Sequence, residues 1–303
     1  MANDANIYLH GAGSADYINP TYWDKQIEQA ARNKSVMLQF GVMNDTLKNK
    51  DGKQINIAKN QVFAAAALTD GTSTPITTLA YDQVTVTVGE VGLAKQVSVL
   101  ELDYAFESVT NDIMSNMGLA IGTKIDTDII TALVSGAGIS YYASGNAHDS
   151  TTVVSTDVLL FTDILGVRRL MLEHNFEPKA IIVSPKTESE VRVLKDPGDH
   201  YIFSDASVYG SATLGSSAIG KILGMTIYVS NNLPTATENT TTPITVSKSL
   251  VLGERPFVFA WKRMPKVEMD RGLITDRSVT FQATATYGVS VLNTYSVAKI
   301  TSY

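Results

Sequence analysis

Hydrophobic and polar positions alternate at two different periods along this chain, and the change of period marks out its elements. Residues 103 to 135 place Phe106, Val109, Ile113, Met117, Ile121, Ile125, Ile129 and Leu133 almost wholly four apart, which predicts one long helix. Four residues overshoot a 3.6-residue turn by about 40°, so the apolar row winds around the helix and its two ends bury different faces. Gly118 and Gly122 interrupt that helix at about 1 kcal/mol each relative to Ala. Close approach of another backbone, or a kink, would account for them.

Period-two alternation marks the strands. Ile55 and Ile57 alternate with polar neighbours, then TDGTSTP follows at 69 to 75, then Val84, Val86 and Val88 alternate with Thr85 and Thr87. The pattern predicts a long hairpin over 54 to 98 with a mobile tip. Its middle, FAAAALTDGTSTPITTL, is too thin to fill a core of its own and is expected to lie on a neighbour. Near the C-terminus Val279, Phe281, Ala283, Ala285 and Tyr287 alternate with Thr280, Gln282, Thr284 and Thr286, which predicts long antiparallel strands.

Between these lies a helix–strand–helix pattern. Leu160, Ile164, Val167 and Met171 predict a helix ending before Pro178, AIIVS (180 to 184) a buried strand, and Ser184–Pro185 a capped helix start continued by TESEVRVL. LGMTIYVSN and SLVLGERPFVFAWKR read as further strands, while 196 to 220 and TATENTTTP (235 to 243) read as polar loops. Upstream, residues 2 to 47 read as an extended arm with one helix carrying Trp23, Ile27, Ala30 and Ala31. No repeat or linker splits the chain, so an α+β fold with residues 155 to 260 inserted is expected.

Composition narrows the chemistry. The 303 residues suffice for a core without staples, and the absence of Cys removes disulfides, thiolate nucleophiles and thiolate metal sites. With 24 basic against 30 acidic residues the formal charge is −6, and no run of Lys or Arg traces a nucleic-acid backbone. No apolar run reaches membrane-span length, so a soluble, unexported chain is expected. Only 18% of residues are charged while Gly, Ser, Thr and Ala abound, a composition suited to hiding surface against a partner.

Candidate chemical sites are weak. GSSAIGKI (215 to 222) comes one residue short of a phosphate-binding loop, but Ile222 stands where the Mg²⁺-binding hydroxyl belongs and a strand-like run follows, so a loop is preferred. His10, His148, His174 and His200 are scattered singly and read as solvated or locally bonded. Asp126 and Asp128, two apart on a helix, point to different sides; solubility or two inter-chain contacts account for them better than acid–base work. Ser184 reads as a helix cap because VSPKT lacks the glycines of a nucleophile elbow. Lys262, Arg263, Lys266 and Arg271, interleaved with Glu268 and Asp270, read as an ion-pairing surface.

The order arm, hairpin, GLAKQVSVLELDYAFESVTNDIMSNMGLAIGTKIDTDIITAL, EPKAIIVSPKTESEVRVLKDP, GKILGMTIYVSNNLP and a β-rich end resembles the major capsid proteins of tailed bacteriophages with the HK97-like fold. The resemblance spans nearly the whole chain and is best from Ala80 to Tyr303. It implies an N-terminal arm (1–53), an extended loop (54–98), a peripheral domain with the spine helix (99–154 and 261–303) and an axial domain (155–260). It implies a loop tip, Leu68, Thr69, Asp70, Gly71, Thr72 and Pro75, that contacts the next subunit. The partners implied are copies of the chain in pentamers and hexamers, with portal and scaffolding or decoration proteins. The particle implied is a virion assembled in the bacterial cytoplasm and enclosing double-stranded DNA without base-specific binding. Catalytic residues, cofactors and metals are not implied. Some members cross-link a loop Lys to a neighbour's Asn, for which Lys53, Lys59 and Lys95 are available. Others carry a cleaved helical scaffold segment, for which little sequence precedes the hairpin, so separate scaffolding or none is expected. An encapsulin-like compartment enclosing cargo enzymes shares this fold and stays open as an alternative. So does a phosphate- or nucleotide-binding enzyme whose loops at 196 to 220 and 235 to 243 frame a pocket.

Overall fold

The computed structural model describes residues 36–48, 50–59, 81–104, 109–195, 204–205, 218–239, 241–271 and 277–303, with single positions between 65 and 76. The helix expected around Trp23 lies outside the described residues, as do His10 and His200. A one-turn 3-10 helix, Met37–Phe40, leads into β1 (Val42–Asn44). Then come β2 (Gln54–Lys59), β3 (Asp82–Thr87), β4 (Gly89–Ser98), α1 (Val99–Tyr104), α2 (Val109–Gly136) and β5 (Ile139–Tyr142). The middle of the chain forms α3 (Phe161–Glu173), β6 (Ala180–Val183), α4 (Pro185–Arg192), β7 (Ser204–Asp205), β8 (Ala218–Ile222), β9 (Met225–Val229) and β10 (Thr235–Glu238). It closes with β11 (Ile244–Leu252), β12 (Phe257–Arg271), β13 (Ser278–Val291) and β14 (Val297–Ser302).

Three sheets result. Four strands run β1-β12-β13-β4; eight run β5-β14-β11-β6-β9-β8-β7, with β10 added beside β11; β2 and β3 pair alone. The eight-stranded sheet takes strands from 139–142 and 297–302 as well as from the inserted stretch. The alternation of 279 to 287 is realised on β13, whose Val279, Phe281, Ala283, Ala285 and Tyr287 are buried. They face α2, which contributes Met117, Ile121, Ile125, Ile129, Ile130 and Leu133 to the same core. Each such side chain contributes about 1.5–3 kcal/mol by leaving water. The four-spaced row does wind: towards the C-terminal end the buried set gains Asp126 and Ile130 beside Ile125 and Ile129. There it meets Ile182, Leu250, Leu252 and Val297 of the larger sheet, so α2 spans both sheets.

The opposite face of the larger sheet is covered by Ile164, Val167 and Met171 of α3 and Val191 of α4. With both faces covered, all four residues of β6 are buried, the reason AIIV is uninterrupted by polar residues. Ser184 caps α4 as expected, its Oγ accepting from the Thr187 N–H at 3.2 Å.

Two segments read as loops are strands. Ala218–Ile222, the second half of GSSAIGKI, pairs antiparallel with β9 through the tight turn Leu223–Gly224, both at positive φ (50° and 84°). Thr235–Glu238 pairs antiparallel with Ile244–Ser247, leaving only the turn of TATENTTTP irregular. Neither has strong local apolar alternation; the neighbouring strands supply the partners that decide it. Among the described residues, Gly118 and Gly122 meet no other part of the chain: a Cβ on either would find nothing within 4 Å.

Candidate assembly surface

The hairpin pairs Gln54 with Thr87 through to Lys59 with Asp82. Ile55 and Ile57 lie across from Val86 and Val84, so all four share a face, and that face packs on Leu47, Val88, Val258 and Ala260. The other face is a polar ladder in which Thr85 Oγ1 donates to Asn56 Oδ1 at 2.9 Å and Gln54 Nε2 to Thr87 Oγ1 at 3.3 Å. Three contacts hold the base. The Val88 N–H donates to the Lys53 carbonyl at 3.0 Å. Lys262 Nζ donates to the Gly52 carbonyl at 2.6 Å. Gly288 of β13 lies so close that a Cβ there would sit 2.4 Å from the Thr87 carbonyl oxygen.

The run predicted as one arm of a long hairpin, 82 to 98, serves two sheets. Up to Thr87 it pairs with β2; from Gly89 it pairs with β13, Tyr287 opposite Gly89. The ribbon is therefore shorter than 54 to 98 and grows directly out of the four-stranded sheet.

Of the predicted tip, Asp70 and Gly71 form an exposed turn with Gly71 at φ 82°, the left-handed region a tight turn requires. Leu68, Thr69, Thr72 and Pro75 lie outside the described residues. Every described position between 65 and 76 is exposed, and Ile76 keeps 98% of its surface. Further apolar surface is bare at Met43 on β1, Tyr104 on α1 and Leu165 and Leu172 on α3. Lys53 and Lys95 are exposed and Lys59 half-buried.

The chemical candidates resolve into structural roles. Lys221 lies on a strand, with a strand rather than a helix following, so no helix N-terminus faces a phosphate there. His148 Nδ1 lies 3.0 Å from Asp157, and His174 stacks on Tyr295 at 3.9 Å. Lys266 pairs with Glu268. An open groove of about 560 Å³ at the carboxyl ends of β6, β9 and β14 is lined by Ser184, Lys186, Asn231, Ser247 and Tyr303 among others. Its lining holds no His, Asp or Glu among the described residues, and Lys186 Nζ sits over the Tyr303 ring at 3.9 Å. No group of His, Asp and Glu among the described residues is arranged to hold a metal ion, and no described helix is long and apolar enough to cross a membrane.

Asp126 and Asp128 do point to different sides, Asp126 into the core and Asp128 towards the surface, and each bonds within the chain. Asp126 is fully buried and Oδ1 accepts from the N–H groups of Val36 (3.1 Å) and Met37 (2.9 Å), while Oδ2 accepts from Asn232 Nδ2 (3.1 Å). Asp128 accepts from the Tyr287 hydroxyl at 2.7 Å and from Lys124 at 2.6 Å. The sequence signal for Asp126 was its place at i, i+4, i+7 with Ile130 and Leu133, a lone carboxylate on an apolar face.

A model of the family described as phage capsid protein matches residues 83–300. The chain belongs to the phage capsid protein family. Comparison with curated proteins finds no match. Among solved structures, the capsid of Ralstonia phage GP4 superposes with a TM-score of 0.71 at 11% identity, covering 98% of each chain. A chain of Mycobacterium phage Che8 gives 0.66 at 18% identity, covering 93% of this chain and 96% of that one. The capsid structure of cyanophage P-SCSP1u gives 0.66 at 14%, covering 96% and 94%. At these identities the likeness is one of fold, and it covers 93% to 98% of this chain. The capsid protein is thus a structural subunit of a phage head.

Proposed function

We propose that this capsid protein builds an icosahedral head from pentamers and hexamers, with the 54–87 ribbon and its tip laid over the next subunit. The observation that carries this is the ribbon itself: two strands anchored at one end, apolar inward only near the base, with Ile76 left 98% exposed beyond them. A two-stranded ribbon is marginal alone in water, so the outer part gains its partners on assembly. In this reading 1–53 is the arm, 54–98 the extended loop (the 54–87 ribbon together with the edge strand β4 from which it grows), 99–154 with 261–303 the peripheral domain and 155–260 the axial domain. Leu68, Thr69, Asp70, Gly71, Thr72 and Pro75 form the inter-subunit tip.

The reading assigns no catalytic residue, cofactor or metal. The net charge of −6 supports a lining on which packaged double-stranded DNA is enclosed without base-specific contact. Assembly takes place in the host cytoplasm, with a portal and with scaffolding or decoration proteins as partners. Deletion of residues 62–78 tests the central element. Soluble subunits or capsomers that fail to close into heads are expected; normal particles after the deletion would overturn the loop assignment. Particles filled with protein cargo instead of DNA would overturn the genome-enclosing part.

A further inference from the structure

The 3-10 helix Met37–Phe40 begins without a local cap: Val36 stands at its N-cap and offers no side-chain hydrogen bond. A helix start leaves N–H groups unpartnered, and here they are buried with Val36 and Met37. The missing acceptor comes from α2. Asp126 Oδ1 takes both successive N–H groups, at 3.1 and 2.9 Å. Two consecutive donors converging on one oxygen fix the orientation of that peptide pair, which a single bond would leave free to rotate. The other oxygen holds Asn232, in the connection between β9 and β10.

The rest of the segment follows from that start. Met37 enters the core beneath α2, and Phe40 meets Tyr228 of β9 edge-on at 5.0 Å. Gly41 lies where a Cβ would be 2.3 Å from the Phe257 ring, and β1 then pairs parallel with β12. The described backbone thus begins at the two peptides that Asp126 holds.

We infer that Asp126 is a positioning residue for assembly: by capping Val36 and Met37 and holding Asn232, it fixes the direction of the backbone at Val36 and ties that junction to the eight-stranded sheet. The assembly half rests on the shell reading above. The carboxylate is suited to this because it offers acceptors on both oxygens, one for the backbone pair and one for the amide.

The test uses the full chain and an exchange of partners. Asn232→Asp sets carboxylate against carboxylate and opens the junction. Adding Asp126→Asn restores one donor and one acceptor across the pair, with the oxygen of the introduced amide still facing the two N–H groups. Chymotryptic cleavage after Phe40 is measured on unassembled subunits, and particles are imaged by electron microscopy. Asn232→Asp is expected to be cleaved about tenfold faster or more and to give open or irregular particles. The exchanged pair is expected to return to within about twofold of the parent rate and to closed heads. Wild-type cleavage in Asn232→Asp, no recovery in the exchanged pair, or fast cleavage alongside normal heads would each overturn the inference. Should Asn232→Asp not fold, recovery of folding in the exchanged pair carries the same test. Absence of particles from the parent chain would instead strike the shell reading, and the cleavage rates would still decide whether the junction exists.

Discussion

Gly288 is where the ribbon's aim is most exposed to a single methyl group. Replacing it with Ala would place a Cβ 2.4 Å from the Thr87 carbonyl oxygen, 2.9 Å from the Thr87 carbonyl carbon and 3.1 Å from Val86 Cγ1. Two of these are backbone atoms of β3, with no rotamer to turn aside. An ordinary carbon–oxygen contact needs about 3.3 Å, so the base of β3 must move by about 1 Å. With the Val88–Lys53 hydrogen bond one strand spacing away as pivot, about 5 Å, that is a tilt of about 10°. Over the six residues of β3, about 20 Å long, the far end at Asp82 would swing by about 3–4 Å.

Overpacking of this kind costs about 1–3 kcal/mol, which for a chain of this size lowers Tm by about 2–6 °C. Gly89→Ala is the matched control: it sits across the ladder from Tyr287, its Cβ would meet nothing within 4 Å, and its stability should stay within about 0.5 kcal/mol. Thermal melts of unassembled subunits give the first number and micrographs of assembly reactions the second. Gly288→Ala should melt lower and close fewer heads than Gly89→Ala. Equal melting points and equal particle yields for the two variants would refute the claim that Gly288 sets the ribbon's angle.

Three further outcomes follow from other sites. Tyr287→Phe removes the hydroxyl that donates to Asp128, whose tie to Lys124 remains, and should cost about 1–2 kcal/mol in a subunit melt. Burial, then the bond to Asp128, pushes the Tyr287 hydroxyl well above its ordinary pKa, so it stays a donor and the loss should be the same from about pH 6 to 9. Gly118→Ala and Gly122→Ala face open space on α2 and should each raise subunit stability by about 1 kcal/mol; a fall in melting point would show that the helix needs both glycines for its own path. Asp149 is held down to about 2, from 3.8, by the Thr151 hydroxyl and N–H and then by Thr152. A depressed folded value means its contribution is present above about pH 4 and fades as pH falls towards about 2. Carboxyl titration by NMR should find that low value in the parent and a value nearer 3.8 in Thr151→Val.

What the sequence revealed and what it hid divide by whether the cause is local. The row from Ile113 to Leu133, the alternation of Val279 to Tyr287 and the Ser184–Pro185 cap each depend on residues within a few positions of one another, and each appears where expected. Residues 218–222 and 235–238 did not reveal themselves because Gly220, Lys221, Thr235 and Thr237 sit in short, polar-rich runs with no apolar alternation, and their pairing is supplied by β9 and β11. Asp126 bonds to partners 89, 90 and 106 positions away, a separation at which no spacing rule operates. The ribbon shows the same division within one stretch. Alternation from 82 to 98 correctly signals extended chain, but period two carries no information about which partner lies alongside, so the exchange of β2 for β13 at Val88 was invisible. That exchange gives the ribbon its mechanical character. Because β3 continues into β4 with only the buried Val88 between them, the ribbon is a cantilever built into the four-stranded sheet rather than a loop hinged upon it. A hinged loop would absorb a methyl group at Gly288 by bending at its base. A cantilever transmits it to the tip.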